Sequence, residues 1–485
     1  MRRTKIVCTL GPAVDGVEPL RLLVAAGMDV ARLNFSHGTH EEHAARIRNI
    51  RQVARETGKS IAILQDLCGP KIRVGEVPDG TRLRKDARFT LTTGDVPGGE
   101  ECVHLPVPQM VAACRPGDRL LLDDGLLELV VMDKTATDLV TRVITGGMLG
   151  SHKGVSAPGV ALDIEAVTDK DEADVKFGLE QGVDYVALSF VKGAGDVERL
   201  RRFMRESCTR SAPIIAKVEK FEAVENLEAI LDAADGAMVA RGDLGIEMPI
   251  EEIPLVQKRL IRACNRLGKP VITATQMLDS MIRNPRPTRA EVTDIANAVF
   301  DGTDAVMLSG ETAIGAYPTD AVTTMARIAD TAEAGEDYPR ILAEKQALHG
   351  TEGVTDAISE AVAGIAHDTG AKAILCATTS GNTARNVSKF RPRVPILAAT
   401  TDEETYHRMA LLWGVLPALM PIPADTDALI AQTIAAAEQR HLVENGDLVV
   451  LTGGTPLGVP GSTNFIKVHT IGQPLQPSAA AAAAK

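Results

Sequence analysis

The chain has 485 residues, enough for two or three domains, and its 45% hydrophobic and 24% charged content are those of an ordinary globular protein. A formal net charge of −12 and a pI near 5.4, without a long basic run, exclude a nucleic-acid partner, so anionic substrates must be met by local clusters of cations. No apolar run approaches the roughly 18–20 residues of a membrane span. The start, MRRTKIVCTLGPA, passes into Gly-Pro too soon for a signal peptide, and seven scattered cysteines without C-x-x-C pairing fit reduced thiols in the cytoplasm rather than a disulfide frame or a zinc site.

In chain order, strand-like apolar runs alternate with amphipathic helical stretches. The first three are KIVCTLG (5–11), DVARLNFS (29–36) and SIAILQDL (60–67). From about Pro70 to Lys153 the texture changes to short β runs, KIRVGEV, RFTLTTG, ECVHL, DRLLLDDGLLELVVM and LVTRVITGG, split by Gly, Pro and Asp. This segment, 70–153, reads as an all-β domain inserted as a lid. The alternation resumes with DYVALSF (184–190), PIIAKVE (213–219), GAMVARGD (236–243), PVITATQ (270–276) and DAVMLSGE (304–311). After the fifth run, Val224, Leu227, Ile230, Leu231 and Ala234 line one helix face ahead of Gly236, and Gly27, Gly58, Gly182, Gly268 and Gly302 close other helices.

Eight βα units predict an α/β fold built on a (β/α)8 barrel over 1–69 and 154–340. An open doubly wound sheet is the alternative, weakened by the absence of G-x-G-x-x-G after the first strand. Beyond Val354 a helix (DAISEAVAGIAHDTG) and the runs AKAILCATTS, PILAATT, GVLPALM, DLVVLTGG and FIKVHTIG predict a C-terminal α/β domain, 350–473, with a mostly parallel sheet. The tail, 474–485, is low-complexity.

Polar residues gather at the C-terminal ends of the predicted strands: Arg32, Asn34 and Ser36; Asp66; Lys217 and Glu219; Arg241 and Asp243; Thr275; Ser309 and Glu311. Barrel enzymes build their sites at that rim. Lys217 and Glu219, two apart in PIIAKVEK, project from one face of their strand, which suits either a satisfied ion pair or a site. Glu219 and Asp243 are hard oxygen ligands suited to Mg²⁺ or Mn²⁺. With Lys217, Arg32 and Arg73 nearby, the set matches phosphoryl transfer: a divalent ion and an ammonium against developing charge, guanidiniums on phosphate oxygens. Gly242, without a Cβ, lets the backbone approach a ligand. The P-loop and protein-kinase signatures are absent. His37 beside Ser36 is misplaced for a nucleophile–base pair. Thr378-Thr379-Ser380-Gly381-Asn382-Thr383 between a strand and a helix suits either an anion site or a simple Ser/Thr cap with a Gly turn.

The motifs KIVCTLGPA, DVARLNFSHG, DLCGPKIRVG, HKGVSAPG, IIAKVE, ARGDLGIE, TATQMLDSM and RPTRAEVTDIANAVFDGTDAVMLSGETAIGAYP resemble the pyruvate kinase family over nearly the whole chain. The resemblance implies transfer of the phosphoryl group of phosphoenolpyruvate to ADP in glycolysis. By matching motif, Glu219 and Asp243 resemble the divalent-metal ligands and Lys217 the group that steadies the transferring phosphoryl and the enolate. Arg32 resembles a phosphate contact, and Gly242, Asp243 and Thr275 the seat of the substrate carboxylate. Arg73 and Lys153 resemble nucleotide-phosphate contacts, with Asn34, Phe35, Ser36 and His37 alongside. Thr275 and Ser309 lie where a water-mediated proton path is expected, and Asp124 resembles a lid residue. The family's usual D2 homotetramer is implied as well.

Two departures qualify the resemblance. Asn34, Ser36, Asp66 and the carbonyl of Leu67 match the family's monovalent-cation site, where many members read D-T-K-G-P-E. Here Asp66-Leu67-Cys68-Gly69-Pro70-Lys71 places a Lys where that Glu stands, which implies an enzyme that does not need K⁺. The TTSGNT loop resembles the family's effector phosphate loop, but the companion segment GGTPLGVPGSTN (453–464) has no Arg or Lys, so a monophosphate such as AMP or a hexose monophosphate fits better than a bisphosphate. A lyase or mutase acting on pyruvate-like enolates, or an inactive sugar-phosphate sensor, are the rival readings.

Overall fold

The computed structural model describes residues 1–348, 353–456 and 463–475. Eight parallel strands close into a barrel: β1 (Lys5–Thr9), β2 (Val30–Asn34), β3 (Ala62–Asp66), β4 (Tyr185–Leu188), β5 (Ile214–Val218), β6 (Gly236–Ala240), β7 (Val271–Ala274) and β8 (Ala305–Leu308). Each pairs with its sequence neighbour, and β1 closes on β8 through Lys5–Ala305 to Cys8–Leu308. Apart from Asn34 at the end of β2, the strands are buried throughout because one face packs on the surrounding helices and the other on the barrel axis.

The axial layer includes Val7, Val30, Leu64, Ala187, Ile215, Met238, Ile272 and Met307. Two residues further along five of these strands come Thr9, Arg32, Asp66, Ser189 and Lys217. The strand period of two therefore lifts one polar side chain after another from the apolar plug into the barrel mouth. Gly27, Gly58, Gly182, Gly268 and Gly302 take positive φ where helices turn into strands, as expected.

Several local expectations are corrected. The run GAMVARGD is not strand to its end: β6 stops at Ala240, and Arg241–Glu247 is a short helix with Asp243 in its first turn. The helix after β5 breaks at Asn226 into Phe221–Glu225 and Leu227–Ala233, and Gly236 opens β6 rather than ending that helix. A Cβ at Gly236 would lie 2.6 Å from Ile215 Cδ1, so this glycine serves close strand packing.

The inserted segment holds a six-stranded sheet ordered Val155–Ser156, Arg119–Leu122, Leu127–Lys134, Asp138–Thr145, Arg88–Thr92, Cys102–His104, over its own core around Phe89 and Leu129. DRLLLDDGLLELVVM folds as a hairpin, with Asp123, Asp124 and Gly125 all at positive φ in its turn. The lid is not wholly β: Pro108–Ala113 forms a short helix, started by Pro at its first position. KIRVGEV forms no strand and contributes only the bridge Arg73–Gly154.

A helix, Tyr338–Leu348, leads to the C-terminal sheet: β9 (Ala373–Ala377), β10 (Ile396–Thr400), β11 (Val415–Leu419), β12 (Leu448–Gly454) and β13 (Thr463–Thr470), in the order β11-β10-β9-β12-β13. Only β13 runs antiparallel to its neighbour. This domain sits against the barrel end opposite the mouth. Ala410 and Leu411 join the axial layer, Lys5 Nζ donates to the Val415 carbonyl at 2.7 Å, and Arg391 pairs with Asp304 at 2.8 Å. Among the described residues no helix is long and apolar enough to cross a membrane. Residues 457–462 of the companion effector segment and 476–485 of the tail lie outside the described residues.

Candidate active site

The barrel mouth is organised by one buried ion network. Lys217, from the end of β5, places Nζ 2.7 Å from Glu219 Oε1, 3.2 Å from Asp66 Oδ1 and 2.7 Å from Ser189 Oγ. Arg32 from β2 donates Nε to Asp66 Oδ2 at 2.6 Å and a terminal nitrogen to Thr9 Oγ1 at 2.8 Å. Ser189 Oγ donates to the Leu67 carbonyl at 2.7 Å, and the Phe190 amide donates to Glu219 Oε2 at 2.8 Å. Five strands thus contribute to one cluster.

Burial opposes every charge here, so the net directions report which partner wins. For Lys217, burial would lower the pKa, but Asp66 and Glu219 outweigh it and hold the ammonium above its ordinary value. Burial would likewise raise Asp66, yet Lys217 and Arg32 keep it below the usual carboxylate range. Glu219 goes the other way: burial raises it, Lys217 only partly offsets that, and Asp243 adds to the rise. Glu219 is therefore under-compensated, through burial first and the neighbouring Asp243 after it.

Asp243 has no hydrogen-bond or ion-pair partner among the described residues and lines the cleft between barrel and lid with Lys71, Asp124 and Phe190. No group of three or more His, Cys, Asp or Glu is gathered as a metal site among the described residues. Two carboxylates, one with free oxygens facing the cleft, fit an ion that takes only two protein ligands and keeps water or substrate oxygens for the rest.

The seat beside Asp243 is strained. Thr275 and Gln276, directly after β7, both have positive φ, 75° and 56°, which is unfavourable for a β-branched residue. Gly242 makes this possible, since a Cβ there would lie 2.6 Å from Thr275 Cγ2. Arg241 braces the turn. It donates to the Ala274 carbonyl at 3.1 Å and the Thr275 carbonyl at 2.8 Å, and pairs with Asp294 at 2.7 Å. Ser309 follows β8, and its amide donates to Glu311 Oε2 at 2.7 Å; the other Glu311 oxygen accepts from the Leu278 amide. Glu311 therefore ties two loops together and is buried away from the cleft.

Asn34, Phe35, Ser36 and His37 form a compact turn in which Asn34 Oδ1 accepts from the Ser36 amide at 3.1 Å and the Phe35 ring stacks on His43, centroids 4.0 Å apart. Arg73 and Lys153 stand side by side at the base of the lid: the Val74 amide donates to the Lys153 carbonyl, Arg73 reaches the His152 carbonyl, and Lys153 pairs with Asp123 at 2.8 Å. Lys71 lines the barrel–lid cleft, while the ion pairs of Asp66 go to Arg32 and Lys217. In the C-terminal domain, Thr378 Oγ1 accepts from the Gly381 amide at 2.9 Å, Gly381 has φ 81°, Thr379 and Ser380 are exposed, and Asn382–Lys389 is a helix. Thr383 instead turns inward to Thr463.

Sequence reasoning passed over Ser189, Thr9 and the bracing role of Arg241. Ser189 and Thr9 obey the same two-residue rule as Lys217, so that signal was available; the role of Arg241 rests on contacts from a distant helix.

The fold and this mouth define a (β/α)8-barrel enzyme whose charged rim is covered by a β lid. The family profile described as the pyruvate kinase barrel domain matches residues 1–322, and that of the pyruvate kinase alpha/beta domain matches residues 356–469. Pyruvate kinase of Geobacillus stearothermophilus is 50% identical over 473 residues, 97% of this chain and 80% of that protein, and pyruvate kinase 2 of Synechocystis is 49% identical over 475 residues. The crystal structure of a pyruvate kinase from Cryptosporidium parvum superposes with a TM-score of 0.91 at 38% identity, covering 97% of this chain and 96% of that one. The chain belongs to the pyruvate kinase family.

Proposed function

We propose that the chain transfers the phosphoryl group of phosphoenolpyruvate to ADP and protonates the resulting enolate, yielding pyruvate and ATP. The observation that carries this reading is the Lys217 ammonium, held charged at the barrel mouth between Asp66 and Glu219. An ammonium fixed in a desolvated site stabilises charge spreading over a migrating phosphoryl group and an enolate oxygen without reorganising. Arg32, turned to the mouth by its bond to Asp66, contacts the substrate phosphate. Gly242, Asp243 and Thr275 seat the substrate carboxylate, and Arg73 and Lys153 meet the nucleotide phosphates beside Asn34 to His37. Thr275 and Ser309 stand on the path by which a proton reaches the enolate. Mg²⁺ or Mn²⁺ would be held by Glu219 and Asp243, and when bound it supplies the charge that neutralises phosphate oxygens.

A coupled assay of ATP formation from phosphoenolpyruvate and ADP with Mg²⁺ tests the reading. A lyase or mutase would consume an enolate substrate without ADP, and a sensor would consume nothing; either result would sink the proposal.

Finer features rest on the same reading. Lys71, in place of a Glu at the cation site of Asn34, Ser36, Asp66 and Leu67, supports activity without K⁺. A collapse of turnover in tetramethylammonium that K⁺ restores would reject this. The Thr378–Thr383 loop, with exposed Thr379 and Ser380 at a helix N-terminus, supports binding of a monophosphate effector such as AMP or a hexose monophosphate. Thermal-shift titration of the full chain with these ligands checks it, and no shift would count against it. Assembly as a homotetramer in the cytoplasm is part of this proposal, to be measured by sedimentation and fractionation.

A further inference from the structure

Past the end of the barrel's backbone ladder, one ion pair ties together the two segments that carry Glu219 and Asp243. The ladder between β5 and β6 ends at Val218–Val239. Glu219 and Asp243 both follow that point, so the sheet itself no longer sets their separation. Glu219 is fixed from the barrel side, where Oε1 accepts from Lys217 and Oε2 from the Phe190 amide. Asp243 has no partner of its own among the described residues, so its place depends on the helix Arg241–Glu247 that bears it.

That helix is pinned at both ends. At the first, Arg241 donates to the Ala274 and Thr275 carbonyls, toward β7. At the last, Glu247 Oε1 accepts from Lys220 Nζ, on the residue directly after Glu219. Asp243 and Glu247 are four residues apart and so stand one turn apart on the same helix face. Each carboxylate of the mouth thus has one member of the ion pair beside it.

The pair is largely buried. Glu247 is 7% exposed and its Oε2 is buried without a hydrogen-bond partner, so among the described residues Lys220 alone offsets the burial of its charge. Burial raises the Glu247 pKa above its ordinary value, Lys220 pulls it down, and Glu222 and Asp243 add to the rise. Removing one partner of such a pair leaves the other desolvated and unpaired. The least costly response is for the two segments to part and admit water.

We propose that Lys220 and Glu247 are positioning residues for the divalent ion: their ion pair holds the Glu219 and Asp243 segments at the separation where one ion takes an oxygen from each. This rests on the reading of those two carboxylates as the ion's ligands. If Lys220 were only a charge near the ion, the effect would have the opposite sign. An ammonium repels a divalent cation, so by its field alone the loss of Lys220 would tighten binding. As a clamp, its loss loosens binding.

Mn²⁺ binding to the full chain without substrates, followed by the EPR signal of the free ion, separates the two. Wild type should bind Mn²⁺ at a site that Asp243→Asn weakens. Lys220→Met and Glu247→Gln should each weaken that site by about tenfold or more, the usual cost of removing a group that orients a metal ligand. Lys220→Arg keeps the charge and still reaches Glu247, so it should stay within about threefold of wild type. Lys220→Gln carries the same expectation as Lys220→Met if the latter does not fold. Equal or tighter binding in Lys220→Met, unchanged binding in Glu247→Gln, or an Arg variant as weak as the Met variant would each overturn the clamp and leave the metal reading standing. Wild-type binding indifferent to Asp243→Asn would overturn both.

Discussion

The Lys217 ammonium and the Glu219 carboxylate meet at 2.7 Å because the two side chains leave the same face of β5, two residues apart, just where the barrel's apolar plug ends. Asp66 takes the second side of the ammonium at 3.2 Å and is itself held by Arg32. Lys217→Met would leave two buried carboxylates facing one remaining guanidinium. Turnover at saturating phosphoenolpyruvate and ADP should fall by about 10³-fold or more, because the lost charge acts on the transition state. Stability should fall too, by about 3–5 kcal/mol, since an uncompensated buried carboxylate remains. Stopped-time assays and urea midpoints measure the two effects. A turnover loss below tenfold would mean that Lys217 is only a structural counter-ion.

Much of this arrangement is legible in the sequence, because the rule that builds the mouth is local. Ile215, Lys217 and Glu219 alternate with buried neighbours, and a strand can display them only on one face. The same rule covers Ser189, hidden in the apolar run DYVALSF. Other features are not local. MVARGD continues an apolar strand, and the close approach of Thr275 that calls for a glycine at 242 comes from the end of the next strand. A Thr at positive φ contradicts its own preference, and the contacts that hold it come from residues 34 positions away in one direction. The helix Pro108–Ala113 spans too few turns for its pattern to register.

Gly242→Ala tests the close approach. The new Cβ would start 2.6 Å from Thr275 Cγ2, so the Thr275 side chain must leave its position. The chain should fold normally, with a melting temperature within a few degrees of wild type, because the clash is at the half-buried rim and not in the core. The KM for phosphoenolpyruvate should rise by about tenfold or more, the equivalent of about 1.4 kcal/mol, while the KM for ADP changes little. Equal changes in both would show a general distortion of the mouth.

Arg241 acts through others. Its guanidinium spans the Ala274 and Thr275 carbonyls and Asp294, holding two residues in conformations that cost about 1–3 kcal/mol each. Arg241→Ala should release them, raising the KM for phosphoenolpyruvate and lowering kcat together. Arg241→Lys should recover little, since one ammonium cannot span three acceptors in a plane. Full recovery by Lys would show that only the charge matters, and that the fork geometry has no part in holding Thr275.

His407 should make the barrel–C-terminal contact sensitive to acid. It is 7% exposed, its Nδ1 is buried without a partner, and its pKa is lowered to about 3, first by burial and then by Arg51. The unfolded chain takes up the proton near 6.5, the folded one only near 3. Stability from this group is therefore complete above pH 6.5 and declines as pH falls from there toward 3. At about 1.4 kcal/mol per unit, roughly 2 kcal/mol should be lost between neutral pH and about pH 5. His43 and His469 are also lowered by burial and slope the same way, so the comparison must be with His407→Gln under identical conditions. That variant should be less stable at pH 7 but lose less on acidification, so the two urea-midpoint curves converge toward pH 5. Parallel curves would show that His407 already carries its proton in the folded chain, and that the interface tolerates the charge.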